Sequence, residues 1–285
     1  MTTRNLFRRK ICDRASRVVF LLATWVGVAA LGILLVRICM DGIGWLDWQF
    51  LTSFASRFPS KAGIMSALFG SLWIIGLTAP LAFVLGIGTA LYLEEYAQKG
   101  WFTNLVQVNI NNLAGVPSIV FGILGLGLFV EGFMFGRTIL SGALTMALLV
   151  LPIIVVASQE AIRSVPQHLR NAAYALGASK WQTIRGVVIP AAFPGILTGF
   201  ILALSRAIGE TAPLIVVGAV TFIAFVPSSP MDPFTVLPIQ IFSWTSKPQD
   251  DFRAIAAAGI LVLLIVLFTL NATAVYLRNK YQKRY

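Results

Sequence analysis

The chain has 285 residues, 58% of them hydrophobic and 12% charged, which leaves too little polar surface to coat a water-soluble globule of this size. With a mean hydropathy of +0.83 it reads as a membrane protein. Its formal charge of +11 comes from 22 Lys and Arg against 11 Asp and Glu, gathered at the chain ends and in one central segment beside apolar runs, a pattern that suits lipid headgroups and topology and argues against nucleic acid.

Residues 1–17 carry Arg4, Arg8, Arg9, Lys10, Arg14 and Arg17 against Asp13 alone, and the apolar run Val18–Val36 follows. At about 19 residues this run exceeds the apolar region of a signal peptide, and no A-x-A-like cleavage site follows, so it predicts a retained first transmembrane helix with its basic end cytoplasmic. Trp45, Trp48, Phe50, Phe54 and Phe58 suit the far interface. Cys12 and Cys39 flank the first run, and a spanning helix holds them roughly 35–40 Å apart, too far for a disulfide. One histidine and no Cys/His cluster leave a metal or haem site without ligands, so none is expected.

The second run extends from about Ile64 to Leu91, with Pro80, Gly76, Gly86 and Gly88 permitting a kink or close helix contacts, and ends at Glu94 and Glu95. Residues 92–113 read as a polar connection with Lys99, Asn109, Asn111 and Asn112. A third span is expected from Gly115 to about Phe135, with Glu131 near its far end as a pore-mouth or headgroup-level charge. Gly125-x-Gly127 has no preceding strand and no acidic partner for a dinucleotide, so it reads as helix packing through small residues. The fourth span is expected at about Leu140–Val156, the fifth at Ile196–Phe222 and the sixth at Ala254–Tyr276. A Pro/Ser/Asp-rich loop with Trp244 fills 224–253, where Asp250, Asp251 and Arg253 read as a solvated loop end.

These elements predict an all-α polytopic membrane protein of six transmembrane helices. A single domain, 18–277, lies between the basic cytoplasmic tails 1–17 and 278–285, the latter with Arg278, Lys280, Lys283 and Arg284. The central segment 158–190 falls on the same side as both ends. It carries Arg163, Arg170, Lys180, Arg185 and His168, and crowds Ala172, Ala173, Ala175, Gly177, Ala178 and Ser179 onto one short helix. A membrane-surface helix would carry bulky apolar residues, so these small ones suit close contact with another protein better. No G-x-x-x-x-G-K-[ST] occurs, so any ATP would be bound by another chain.

Arg206 and Glu210, followed by Thr211, lie in the fifth span, with Arg206 near the middle of the hydrocarbon core. At four residues apart the two share a helix face and should point into the bundle or toward water. Two readings stand: a structural ion pair that sets helix register, or a substrate pathway in which Arg206 attracts an anion and Glu210 keeps the attraction weak enough for release.

Asn171-Ala172-Ala173-x-x-x-Gly177 followed by Val187-x-Ile189-Pro190 resembles, in spacing throughout, the EAA loop of bacterial ABC importer permeases, with Asn171 where the family usually has Glu. Leu113-Ala-Gly-Val-Pro-Ser-Ile-Val-Phe-Gly122 and Ser205-Arg-Ala-Ile-Gly-Glu-Thr-Ala-Pro213 are similar to signatures of the phosphate-specific, PstA-type permeases. The resemblance implies a type I importer fold in the bacterial inner membrane, with both termini cytoplasmic and no catalysis by this chain. It implies as partners a homologous PstC-type permease, two PstB-type ATPases that hold ATP and Mg, and a periplasmic phosphate-binding protein. Asn171, Ala172, Ala173, Gly177 and Pro190 would then couple to the ATPase, and Arg206, Glu210 and Thr211 would line the pathway. Another oxyanion such as molybdate or sulfate, a secondary carrier and a purely structural subunit are the other readings.

Overall fold

The computed structural model describes residues 3–98 and 100–281, so Lys99, Lys283 and Arg284 lie outside the described residues. Among the described residues the fold is all helical, with no strand. In chain order the helices are α1 (Thr3–Gly42), α2 (Trp48–Thr52), α3 (Met65–Leu91), α4 (Trp101–Leu113), α5 (Ser118–Gly125) and α6 (Ile139–Arg163). There follow α7 (Gln167–Ala175), α8 (Lys180–Thr183), α9 (Ile189–Gly209), α10 (Ala212–Val217), α11 (Leu237–Thr245) and α12 (Asp250–Tyr281). π-helical turns at Tyr92–Tyr96, Leu126–Gly132 and Ile184–Val188 prolong α3 and α5 and join α8 to α9.

Five continuous stretches are long and apolar enough to cross a bilayer: Cys12–Trp45, Met65–Tyr96, Ile139–Arg163, Lys180–Gly209 and Asp250–Lys280. The sixth crossing belongs to a bent pair, Trp101–Leu113 and Ser118–Gly132, with a 109° turn between its arms. Pro117 explains the elbow, because the residue before a proline is driven out of the helical region and proline has no N–H to continue the ladder. The connection expected over 92–113 is therefore largely a helix, and the third crossing starts at Ser118 instead of Gly115.

The hub is α6, which packs against α3, α5, α9 and α10. Its contacts are close because small residues line them. A Cβ on Gly86 would stand 2.6 Å from the Ile154 side chain, and Cβ atoms on Gly195 and Gly199 would meet Ala161 and Ala157 at 2.8 and 2.3 Å. Without a hydrophobic drive between helices in lipid, such van der Waals approach is the main source of association. Three apolar clusters follow the bundle axis: one around Phe50, Trp244 and Phe252 at one end, one around Met146, Val150 and Phe234 in the middle, and one around Ile110, Ile162 and Ile196 at the other. By contrast α1 packs mainly on α12 and leaves most of its apolar side chains exposed, as a helix facing lipid or another subunit would. Cys12 and Cys39 lie on this one helix as free thiols.

Three expectations change. The fourth span runs on to Arg163, so Ser158, Gln159, Ala161 and Ile162 are the buried end of α6 and the exposed part of the central segment begins after them. The fifth span stops at Gly209 instead of Phe222. The 224–253 loop contains α11, whose Trp244 is fully buried, and Asp250 and Asp251 open α12, where carboxylates favour the positive end of a helix. Between α10 and α11 the irregular chain is tied to its neighbours: Ile139 and Leu140 N–H donate to the carbonyls of Asp232 and Pro230, and Leu237 N–H donates to Ser71 Oγ. The Asp232 carboxylate accepts from the N–H groups of Ser228 and Ser229 at 2.8 and 2.9 Å, which holds its pKa below the ordinary carboxylate value.

Gly70 shows how tight this seam is, since a Cβ there would lie 2.0 Å from the Thr235 carbonyl oxygen, whereas one on Gly76 meets nothing. Gly70→Ala should destabilise the folded protein by about 1–3 kcal/mol through overpacking. Gly76→Ala, in the same helix, should be neutral or stabilising by up to ~1 kcal/mol. Thermal unfolding of the two variants in detergent checks the contrast, and equal midpoints would overturn it.

Candidate functional site

The central segment folds into two short helices set at the end of the bundle. Pro166 starts α7, and the chain turns at Gly177, whose φ of +82° favours a residue without a Cβ. Ser179 then opens α8 with a reciprocal cap: its hydroxyl accepts from Gln182 N–H, and the Gln182 side chain accepts from Ser179 N–H. Asn171, Ala172 and Gly177 are exposed and Ala173 is half-buried, while Pro190 starts the first turn of α9 at the segment's inner end. Asn171 Oδ1 accepts from Gln167 Nε2 at 3.3 Å, one turn earlier. Leu176 is 90% exposed, with Tyr174 and Trp181 also open, so the platform presents an apolar surface that no described residue covers.

Arg170 anchors this platform to the π-helical turn that ends α3, and Arg163 ties the end of α6 to the same turn. Arg163 makes a two-pronged pair with Glu94, at 2.9 Å from Nε and 2.7 Å from Nη2, and also reaches Glu160. Arg170, on α7 itself, pairs with Glu95 and donates to the Ile162 carbonyl at 2.8 Å, with the Arg170 and Glu95 side chains only 14% and 6% exposed. Lys180 lies 5.0 Å above the Tyr96 ring. The acidic residues at 94 and 95 are thus the counter-charges of the central segment.

The second constellation is a broken helix. Gly195 against Ala161 and Gly199 against Ala157 set an antiparallel register in which Arg206 stands about level with Val150, near the middle of α6. The helix ends three residues later, and Glu210 is extended, with φ −77° and ψ 126°. Arg206 and Glu210 still meet, Nε to Oε1 at 3.3 Å, but across a helix terminus instead of along one continuous face. Arg206 is half-exposed and Glu210 mostly buried, while Thr211 is half-buried and its hydroxyl lies 3.5 Å from the Gly209 carbonyl.

After this break α10 packs on α5, with Gly122 so close to Pro213 that a Cβ would stand 2.8 Å from the Pro213 Cα. The stretches Leu113–Gly122 and Ser205–Pro213, far apart in sequence, therefore meet at their C-terminal ends. Ser205 also donates to Asn271 Oδ1 at 2.6 Å, which ties the break to α12.

Residues 82–283 match the family of binding-protein-dependent transport system inner membrane components. The chain belongs to that family. It is 34% identical over 288 residues to a probable ABC transporter permease protein, YqgI, of Bacillus subtilis, covering 97% of this chain and 98% of that protein. It is 37% identical over 220 residues to the phosphate transport system permease protein PstA 1 of Mycobacterium tuberculosis, covering 76% and 70% of the two chains, and 32% identical over 279 residues to PstA of Xylella fastidiosa, covering 96% and 95%. Among solved structures, a chain of the MetNI methionine ABC transporter superposes with TM-score 0.63 at 16% identity, covering 76% of this chain and 95% of that one. A chain of a bacterial alginate ABC transporter in complex with its pentasaccharide-bound periplasmic protein does so with TM-score 0.64 at 17% identity, covering 90% and 92%.

The chain is thus a membrane permease subunit of an ABC importer with the type I fold, and families of this kind work with ATPase subunits and a periplasmic binding protein. A secondary carrier is thereby set aside. Sequence reasoning missed the roles of Glu94 and Glu95, although one signal was present: two adjacent carboxylates at the end of an apolar run, in a chain whose central segment is basic. It also missed the paired amides of Gln107 and Gln159, which exchange hydrogen bonds at 3.1 and 2.8 Å and lock α4 onto α6.

Arg170→Gln in this permease strands the Glu95 carboxylate in a nearly buried place and should cost about 3–5 kcal/mol of stability. The Arg170→Gln/Glu95→Gln double variant should lose much less, whereas Arg163→Gln, at a more exposed pair, should cost under about 1 kcal/mol. A double-mutant cycle on thermal unfolding in detergent reads the coupling, and simple additivity of the two buried substitutions would show that no clamp exists.

Proposed function

We propose that this permease forms half of the translocation pathway of an ATP-driven phosphate importer in the bacterial inner membrane. The observation that carries the reading is the Arg206–Glu210 pair at a helix end in mid-bundle, since discontinuous helices near mid-membrane are where transporters build substrate sites. The guanidinium offers a planar fork of donors to an oxyanion, and the carboxylate beside it limits how tightly the anion is held. Arg206 is half-exposed in the single chain, as a residue facing a second permease subunit across a pathway would be. Similarity to the PstA proteins supports phosphate as cargo. The neighbours named for methionine and alginate show that the fold does not itself select a substrate. Molybdate or sulfate is the second reading, because an arginine fork recognises a tetrahedral oxyanion without counting its protons.

In this proposal the remaining subunits are a homologous PstC-type permease, two PstB-type ATPases carrying ATP and Mg, and a periplasmic phosphate-binding protein. This chain adds no covalent chemistry. Both termini are cytoplasmic, with Arg278 near the end of α12 donating to Thr198 midway along α9, on the platform side of Arg206. The ATPase takes hold of the α7 platform through Leu176, Tyr174 and Trp181, around the small residues Ala172, Ala173 and Gly177. Asn171 offers an exposed amide there in place of a carboxylate. Closure of the ATPase dimer displaces the platform, and the Arg170–Glu95 pair passes that displacement to the end of α3, which the Arg163–Glu94 pair ties to α6.

Two measurements test this reading. In vesicles holding the assembled transporter, labelled phosphate uptake should require ATP, and Arg206→Gln should lower it about ten- to a hundredfold, the equivalent of a lost charge-assisted hydrogen bond worth ~1.5–3 kcal/mol. Glu210→Gln should also slow uptake, through delayed release. Full uptake by both variants would remove the pair from the pathway, and stronger uptake of sulfate or molybdate than of phosphate would favour the second reading. Leu176→Asp touches nothing in its own chain, so the permease should insert normally yet fail to hold the ATPase during purification. Undiminished copurification would sink the docking role.

A further inference from the structure

On the face opposite the α7 platform, the loop before α3, the chain after α10 and the end of α11 enclose a polar cavity of about 470 Å³. Its walls carry two cations, Arg57 and Lys247, beside the hydroxyls of Thr221 and Ser243, the amide of Gln240 and the ring of Phe222. No carboxylate lines it. Other charged hollows differ in this respect: Arg37 and Arg253, in the groove between α1 and α12, pair with Asp41 and Asp250, and Arg163 and Arg170 pair with Glu94 and Glu95. Among the described residues neither Arg57 nor Lys247 forms an ion pair.

Lys247 is half-buried, with its ammonium 3.8 Å from the centroid of the Phe252 ring and 3.5 Å from the Ser56 carbonyl oxygen, and this burial pushes its pKa down. Two positive charges that share a cavity, one of them partly stripped of water, repel each other, and a small anion between them relieves that cost. The wall is fixed for the purpose: the Gln240 amide donates to the Thr221 carbonyl at 3.0 Å and accepts from Trp244 Nε1 at 3.1 Å. An arginine fork, an ammonium and two hydroxyls together match a tetrahedral oxyanion. The cavity is also continuous in the chain with the pathway residues, because Thr221 follows Thr211 through α10.

We propose that Arg57 and Lys247 form an antechamber that collects a small oxyanion on the outer side of the permease before it reaches Arg206. The order of sites rests on the importer reading above; the anion site itself does not. The test is mass-spectrometric footprinting of lysine acylation in the detergent-purified transporter, assembled with its partner subunits but without the binding protein. Inorganic phosphate should slow acylation of Lys247, by about threefold at a concentration twice the dissociation constant, and should leave the exposed Lys61 unchanged. Chloride at matched ionic strength should not protect. Arg57→Gln should abolish the protection and Arg57→Lys should restore part of it.

Absence of protection, equal protection by chloride, or protection by phosphatidylglycerol micelles but not by phosphate would overturn the proposal, the last by assigning the cavity to a lipid headgroup. So would protection by the phosphate-free binding protein with none by phosphate, which would assign it to a protein carboxylate. Uptake by the wild-type vesicles separates the two readings. Protection without phosphate import sinks only the cargo assignment, and import without protection sinks only the antechamber.

Discussion

The end of α9 inside the bundle is the constraint that most of the structure answers. A helix that stops at mid-depth leaves its last carbonyls without intrahelical partners, and a bilayer core offers no water to replace them. Non-helical backbone is tolerated at that depth only where protein or a wet pathway surrounds it. Here α10 is pressed onto α5 at the Gly122–Pro213 contact, the chain from 218 to 236 is tied to α3 and α6, and Glu210 turns back to Arg206. The same break that costs hydrogen bonds places the Arg206–Glu210 pair at mid-depth.

A second arrangement depends on charge. The platform of α7 and α8 has limited apolar contact with the bundle: no α7 residue is fully buried, and Leu169 packs partly buried on the cluster around Ile110, Ile162 and Ile196. Ionic contacts at the same end of the bundle add to it, and their quality differs. The Arg170–Glu95 pair is nearly dry, so removing either partner leaves a buried charge. The Arg163–Glu94 pair is geometrically better, with two bonds, but wetter. A connection of this kind is stiff in position and narrow in area. Leu176, Tyr174 and Trp181 on its outer side are exposed.

Much of this was legible from residue order. Apolar runs must cross or hide, so the six crossings and the all-α class followed from composition and run length. The small-residue spacing from Asn171 to Gly177 pointed to a contact helix, and the structure leaves that helix exposed. The second run was placed within a residue, because a long apolar stretch ending in two glutamates has clear limits. The fifth was overextended to Phe222, since Ile215–Phe222 is as apolar as a helix interior and only its packing on α5 shows that it belongs to a separate turn. Trp244 was assigned to a loop because Pro, Ser and Asp dominate around it, whereas Leu237, Ile239, Ile241 and Phe252 bury it. Lys247 and Arg57 gave no local signal at all, being 190 residues apart.

By itself the amino-acid order determined that this protein lives in a membrane and that Arg206 and Glu210 are charges costly enough at that depth to point into the bundle or toward water. These follow from transfer energies, which depend on residue type and run length alone. Only the tertiary structure decided that Glu95 holds the α7 platform while Glu94 holds the end of α6, that Leu113–Gly122 and Ser205–Pro213 meet at the Gly122–Pro213 contact, and that α9 stops about level with Ala147. Those outcomes rest on side chains distant in sequence approaching within a few ångströms, and close packing between helices is set by shape, which no single stretch of sequence contains.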